Sequence, residues 1–198
     1  NSLSLRLAKI PILPNLLGKL RVLESSQCQF IQFSRENQIE YGDATKGLPL
    51  PDSSVDVIYT SHMLEHLDRN EADSFFKEVR RLLRPGGIIR IVVPCIKKLV
   101  EQYIKSADAD AFIETSLLCI PRPRSLEQKL RVLLVGTRHH QWMYDGNSLC
   151  ALLHEHGFVN ARVCARNESS IENHEPLDLD ERGADSVCVE AGSPGVIA

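Results

Sequence analysis

The stretch QIEYGDATKGLPLPDSSVDVIYTSHMLEHLDRNEADSFFKEVRRLLRPGGIIRIVVP, residues 38–94, decides the fold. Its first β-type run is residues 38–41 and its second is VDVIYT, residues 55–60, where aromatic and β-branched side chains dominate. Asp68 and Glu71 form a capping-box-like pair, with Asp in place of the usual Ser or Thr. Behind them Ala72, Phe75, Phe76, Val79, Leu82 and Leu83 recur at helical spacing, which predicts one apolar helix face. Arg80, Arg81 and Arg84 are expected at the C-terminal end of that helix, where cations suit the macrodipole. Pro85-Gly86-Gly87 predicts the helix stop and a tight turn, and IIRIVV, residues 88–93, reads as a strand buried on both faces. Strand, helix, turn and strand make a βαβ unit, so a parallel sheet with a right-handed crossover is expected.

The whole chain fits that unit into an ordinary globular protein. Its 198 residues, 43% hydrophobic and 25% charged, predict one domain over residues 1–198 with its own core. A formal net charge of -3 argues against a general nucleic-acid binder. The cysteines at 28, 95, 119, 150, 164 and 188 form no CxxC pair and fall within apolar patterns. They are expected to be buried thiols in a reducing, cytoplasmic setting. No stretch has the apolar length to span a bilayer, and the first residues lack a signal-peptide pattern. The chain opens at Asn1 without a methionine, which points to residues missing or removed ahead of it.

Taken in order, GDATKGLPLPDSSVDVIYTSHMLEHL and FFKEVRRLLRPGGIIRIVVP resemble the central half of a class I S-adenosylmethionine-dependent methyltransferase. The resemblance is in particular to small bacterial methyltransferases associated with polysaccharide biosynthesis. It continues at HQWMYDGNSLCALLHEHGF, residues 140–158, and LDLDERGADSVCVEA, residues 177–191. The implied fold is α/β and Rossmann-like: a mostly parallel seven-stranded sheet with an antiparallel edge strand and a helical insertion. Residues 161–165 and 186–191 are the two late strands, expected as antiparallel partners at the sheet edge.

The resemblance also implies S-adenosylmethionine as cofactor, and here the sequence departs from the family. LRVL, residues 20–23, resembles the first sheet strand, after which the family has a glycine-rich turn that lets backbone approach the ligand. This chain has Glu24-Ser25-Ser26-Gln27 there. The next expected strand, residues 30–33, ends at Ser34 where the family has an acid, with Glu36 two residues later. Two readings follow. In one, serines such as Ser25 replace the glycines in a looser turn and Glu24 or Glu36 holds the ribose, with Ser34 beside the cofactor; in the other, the domain is a catalytically inactive scaffold or regulatory subunit. By resemblance, Asp43 accepts from the adenine amine, Ala44 offers its backbone N–H to the ring, and Thr60 and Ser61 lie at the ligand-binding edge of the sheet.

His62, Glu65 and His66 spell HxxEH, the pattern of an inverted zinc peptidase. A helix would bring both histidines to one face with Glu65 as base. The following helix and PGG-strand context favours the methyltransferase reading instead, and no metal is expected. Within that reading His62 and His140 are candidate bases. His66, Trp142 and Tyr144 are candidate acceptor contacts, and Trp142 also reads as a large hydrophobic anchor.

Residues 95–141 form the insertion, with helices expected around Leu99–Ile104, at 111–120 and at 126–135. Between residues 96 and 140 eight Lys/Arg face five Asp/Glu, so this lid suits an anionic acceptor. Residues 1–19 read as an apolar N-terminal arm. Residues 168–198 carry eight acids and one arginine, most of them in an acidic loop at 168–185. That segment can pair with the basic insertion, within the chain or across a homodimer. The expected function is methyl transfer to a hydroxyl of a small molecule or saccharide.

Overall fold

The computed structural model describes residues 29, 32–33, 40, 42–119, 122–135, 139–165, 167–172 and 184–195. The chain divides into two compact units, Asn1–Gly42 with Ile120–Arg138, and Asp43–Cys119 with His139–Ala198. The second unit holds the sheet. Its elements are β1 (Val55–Ser61), a 3-10 turn (Leu64–His66), α1 (Arg69–Leu82), β2 (Leu83–Pro94), α2 (Ile96–Ser106) and α3 (Ala109–Ser116). Helix α4 (Leu126–Val135) belongs to the first unit, and α5 (Gly146–Glu155), β3 (Val159–Cys164) and β4 (Ser186–Gly192) complete the second.

The predicted βαβ unit is present. Asp68 caps α1 by accepting from the N–H groups of Asn70 and Glu71, and Glu71 returns a bond to the Asp68 N–H. The helix buries Ala72, Phe75, Phe76, Val79 and Leu82, the stripe its spacing predicts apart from Leu83, which is extended and opens β2 instead. Ser53 and Ser54 donate to the carbonyls of Arg81 and Leu82, so the loop before β1 satisfies the helix's last acceptors. Arg81 draws that loop in further, donating to Leu48 O, Leu50 O, Asp52 and the buried Glu78, which itself accepts from Leu48 N.

The helix stops earlier than its arginines suggest. α1 ends at Leu82, and β2 begins at Leu83, before the Pro-Gly-Gly turn. Arg84 therefore lies beyond the helix, where it pairs with Asp56. The turn is absorbed as an irregularity in the β1–β2 ladder, whose register jumps from Val55↔Leu83 to Val57↔Ile88. Gly87 is needed there on steric grounds, because a Cβ would lie 2.9 Å from Asp56 O and 3.0 Å from Arg84 O.

Among the described residues the sheet has four strands in the order β1-β2-β4-β3. β1 and β2 are parallel, and β4 runs antiparallel to both β2 and β3. The two late strands are antiparallel partners at the sheet edge, as expected, but the strand that opposes β1 and β2 is β4, one position in from the edge, a correction to the expected antiparallel edge strand. Burial explains the order: β4 is almost wholly buried, whereas β3 is exposed or half-buried at every position but Cys164, as suits an edge strand. The expected strand at 20–23, the N-terminal arm, and all of 38–41 except Glu40 lie outside the described residues. At 30–33, Gln32 and Phe33 are helical and exposed, not extended.

The insertion is helical as expected, but α3 stops at Ser116 because Leu117 adopts a left-handed cap at φ 52. Cys119, just beyond that stop, is exposed, so not every cysteine is buried. One buried pair was invisible in the apolar reading of β2: Arg90 faces Glu190 across the β2–β4 ladder, with Nη1 and Oε1 2.6 Å apart.

Candidate functional site

The site is built where β1 runs out of sheet. His62 N still donates to Val92 O, but His62 then turns the chain with φ 52. A non-glycine residue held in the left-handed region marks a local constraint. The 3-10 turn at Leu64–His66 follows, so residues 62–66 are not the α-helix that an HxxEH zinc peptidase requires. His62 and His66 do not share a helical face.

At the centre is Glu65, whose carboxylate is almost completely buried and accepts no aligned hydrogen bond at either oxygen. Three histidines surround it. His62 Nδ1 lies 3.2 Å from Oε1 and His140 Nε2 lies 3.9 Å from the same oxygen. His66 and His140 have ring centroids 5.1 Å apart. Each ring is anchored at its other nitrogen or nearby: His62 Nε2 lies 3.1 Å from Ser186 Oγ, His66 Nδ1 lies 2.9 Å from His139 O, and His140 Nδ1 lies 2.7 Å from Ser116 O. The backbone closes the arrangement, since Gln141 N and Trp142 N both donate to Glu65 O. Burial holds the His140 imidazole below the usual histidine range, opposed by the Glu65 carboxylate.

The structure brings together His62, His66 and His140 from the predicted set and leaves the others at different stations. Thr60 is buried at the end of β1, and the neighbouring Ser61 Oγ is buried without a hydrogen-bond partner. That orphaned hydroxyl at a sheet edge fits a polar ligand group. Asp43 holds its own turn, with Oδ1 accepting from Thr45 N and Oγ1 and Oδ2 accepting from Lys46 Nζ at 2.7 Å. The Lys46 and Thr45 bonds keep its carboxyl below the usual range. A carboxylate has about four lone-pair sites, so one further donor fits. Ala44 packs on the core cluster. Glu24, Ser25, Ser34 and Glu36 lie outside the described residues.

Trp142 is 46% exposed with the Arg69 guanidinium 5.1 Å from its ring centroid, so it is no buried anchor. Tyr144 is the buried member of that segment, bridging to Cys95 beside β2; burial raises its phenol and Arg69 opposes the rise. Sequence reasoning missed Ser116, Ser186 and Arg69. Ser186 is 124 positions from His62, so no local pattern could join them. Glu65 was legible only through HxxEH, where it carried another role.

The profile of a family described as a methyltransferase domain matches residues 22–91. A probable S-adenosylmethionine-dependent methyltransferase of Mycolicibacterium smegmatis is 41% identical over 56 residues, 28% of this chain and 21% of that protein. The chain thus spans about a fifth of the length of the curated relative it matches. Among solved structures, a SAM-dependent methyltransferase of Methanosarcina mazei aligns with 20% identity and a TM-score of 0.48, covering 79% of this chain and 66% of its own. One from Archaeoglobus fulgidus aligns with 17% identity and a TM-score of 0.44, over 77% and 66% of the two chains. Over residues 22–91 this chain is thus similar to a methyltransferase domain, and its 41%-identical segment is similar to part of an S-adenosylmethionine-dependent enzyme, so S-adenosylmethionine is the cofactor these similarities name.

Proposed function

We propose that this protein transfers a methyl group to a hydroxyl of a small molecule or saccharide, with His62 as the general base. The observation that carries the reading is the placement of His62 between the buried Glu65 carboxylate and Ser186 at the end of β1. A small ring rotation aligns Nδ1–H with Glu65, which fixes the tautomer and leaves Nε2 as the accepting nitrogen. Such contacts are often poorly aligned before substrate arrives. Ser186 Oγ then marks where an acceptor hydroxyl would sit. His140 is less suited to the role, being buried with Nδ1 committed to Ser116 O.

Thr60, Ser61, Asp43 and Ala44 would hold the cofactor. When bound, S-adenosylmethionine supplies an electrophilic methyl group. The chain's own part is to align the hydroxyl oxygen with that methyl and to take the hydroxyl proton at His62 Nε2. Arg69, Trp142 and His66 are acceptor contacts in this reading, and the basic insertion favours an anionic acceptor. The saccharide, the polysaccharide-biosynthesis setting, the cytoplasmic location and a homodimer follow from the resemblance and are part of the proposal. Among the described residues no helix is long and apolar enough to cross a membrane.

A second reading, an inactive scaffold, draws on the glycine-free turn at Glu24-Ser25-Ser26-Gln27 and on the Asp43 carboxylate already engaged by Thr45 and Lys46. Calorimetric titration of the folded protein with S-adenosylmethionine separates the two. Micromolar binding supports the transferase, and no binding at millimolar ligand supports the scaffold.

A further inference from the structure

The geometry points to a binding site for one divalent transition-metal ion of the zinc class, held by Glu65, His66 and His140. One ligand atom from each of these residues lies within 4.8 Å of the other two. The inference concerns metal binding and does not depend on the methyl-transfer reading.

Three features make this a built site and not a chance cluster. Glu65 is 1% exposed, and neither oxygen accepts an aligned hydrogen bond. A carboxylate left that way in a dry interior is costly unless a cation meets it. Next, His66 and His140 each turn Nδ1 to a backbone carbonyl, of His139 and Ser116 respectively. A carbonyl only accepts, so Nδ1 carries the proton and Nε2 offers a lone pair on the other side of the ring. A backbone carbonyl at the far nitrogen is also the usual way a metal-ligating histidine is oriented. Finally, His62 places Nδ1 3.2 Å from Glu65 Oε1, where it can steady the carboxylate as a ligand.

The ligand set differs from the one HxxEH suggests. That pattern uses its two histidines as ligands and its glutamate as base. Here the first histidine lies outside the 3-10 turn, the glutamate is a ligand, and the third ligand comes from 74 positions further along at His140. Bonds of about 2.0–2.1 Å in a tetrahedral site set ligand atoms roughly 3.4 Å apart. The observed spacing therefore closes with about 1 Å of side-chain movement, and two nitrogens with one carboxylate suit zinc or its neighbours. Three protein ligands leave a fourth position open to water or to a substrate oxygen.

The test is titration of chelator-treated, metal-free full-length protein with Zn2+ and with Co2+. One ion per chain is expected, with a raised Tm and the visible absorption of tetrahedral Co2+ lacking any thiolate charge-transfer band. Glu65→Gln and His66→Ala should each weaken binding by at least about 100-fold, more than the roughly 10–100-fold typical of a group that only orients a ligand. His154→Ala, at an exposed position outside the site, should bind as the unaltered protein does. Circular dichroism of the metal-free variants checks folding, and His66→Ala, at a half-buried position, decides the matter if Glu65→Gln does not fold. Absence of stoichiometric uptake, a thiolate band, or undiminished binding in His66→Ala would each overturn the site.

Discussion

In the proposed reaction His62 is the base that takes the hydroxyl proton. Replacing it with alanine should lower turnover by about 100-fold or more, the usual contribution of a positioned base, while leaving cofactor affinity unchanged. An undiminished rate would remove it from the reaction. Asp43 carries a different expectation. Its carboxylate organises the turn through Thr45 and Lys46, and in the proposed cofactor role it also meets the adenine. Asp43→Ala should therefore weaken S-adenosylmethionine binding by roughly tenfold, about 1.4 kcal/mol, read by calorimetry. Arg90 and Glu190 test packing and not chemistry. Glu190 accepts from Arg90, Ser169 Oγ and Ser170 N, so Glu190→Ala leaves the buried guanidinium uncompensated. Denaturant unfolding should show a loss of about 3–5 kcal/mol, the typical cost of removing one partner of a buried pair.

At the scale of the element, β1, α1 and β2 are where local signals and structure agree most closely. The capping box, the apolar stripe and the buried strand all fall where the spacing put them. The Pro-Gly-Gly segment behaves differently, because its conformation is settled by the neighbouring strand as well as by its own residues. Gly87→Ala tests this: with backbone oxygens at 2.9 and 3.0 Å, the ladder must shift to admit the Cβ. A lowered Tm is expected, whereas an unchanged Tm would show that the turn has room. The 3-10 turn after His62 is the other such place. A five-residue HxxEH window cannot reveal that its first histidine will take a left-handed backbone.

The whole molecule responds to pH through groups spread over several elements. His156 stacks on Phe76 at 4.8 Å, and burial holds its imidazole below the usual range despite Asp73. The unfolded chain therefore binds that proton first, and stability falls as pH drops below the ordinary histidine value. For Glu190, burial raises the carboxyl, but the bonds from Ser169, Ser170 and Arg90 outweigh it and leave the pKa lowered. Its contribution is present above the unfolded glutamate value and is lost as pH falls through the lower folded value. Stability should thus decline in two stages on acidification. A His156→Gln variant should show a smaller fall of Tm through the histidine range, the buried His140 supplying the rest, and an undiminished fall would assign the first stage to another group.

The sequence by itself determined the α/β class, the βαβ unit, the capped helix and the helical nature of the insertion, because periodicity, caps and breakers act within a few residues. It also offered His62, His66 and His140 as candidates, through motif position, and these three lie near one another around Glu65. Only the tertiary structure decided that β4 enters the sheet beside β2, that Arg90 is neutralised by Glu190, that Ser186 reaches His62, and that His140 joins Glu65 and His66. These are contacts between residues from 74 to 124 positions apart, or between strands brought side by side by burial. A short window of sequence holds no record of which distant partner will supply a buried charge, a hydroxyl or a second ring nitrogen.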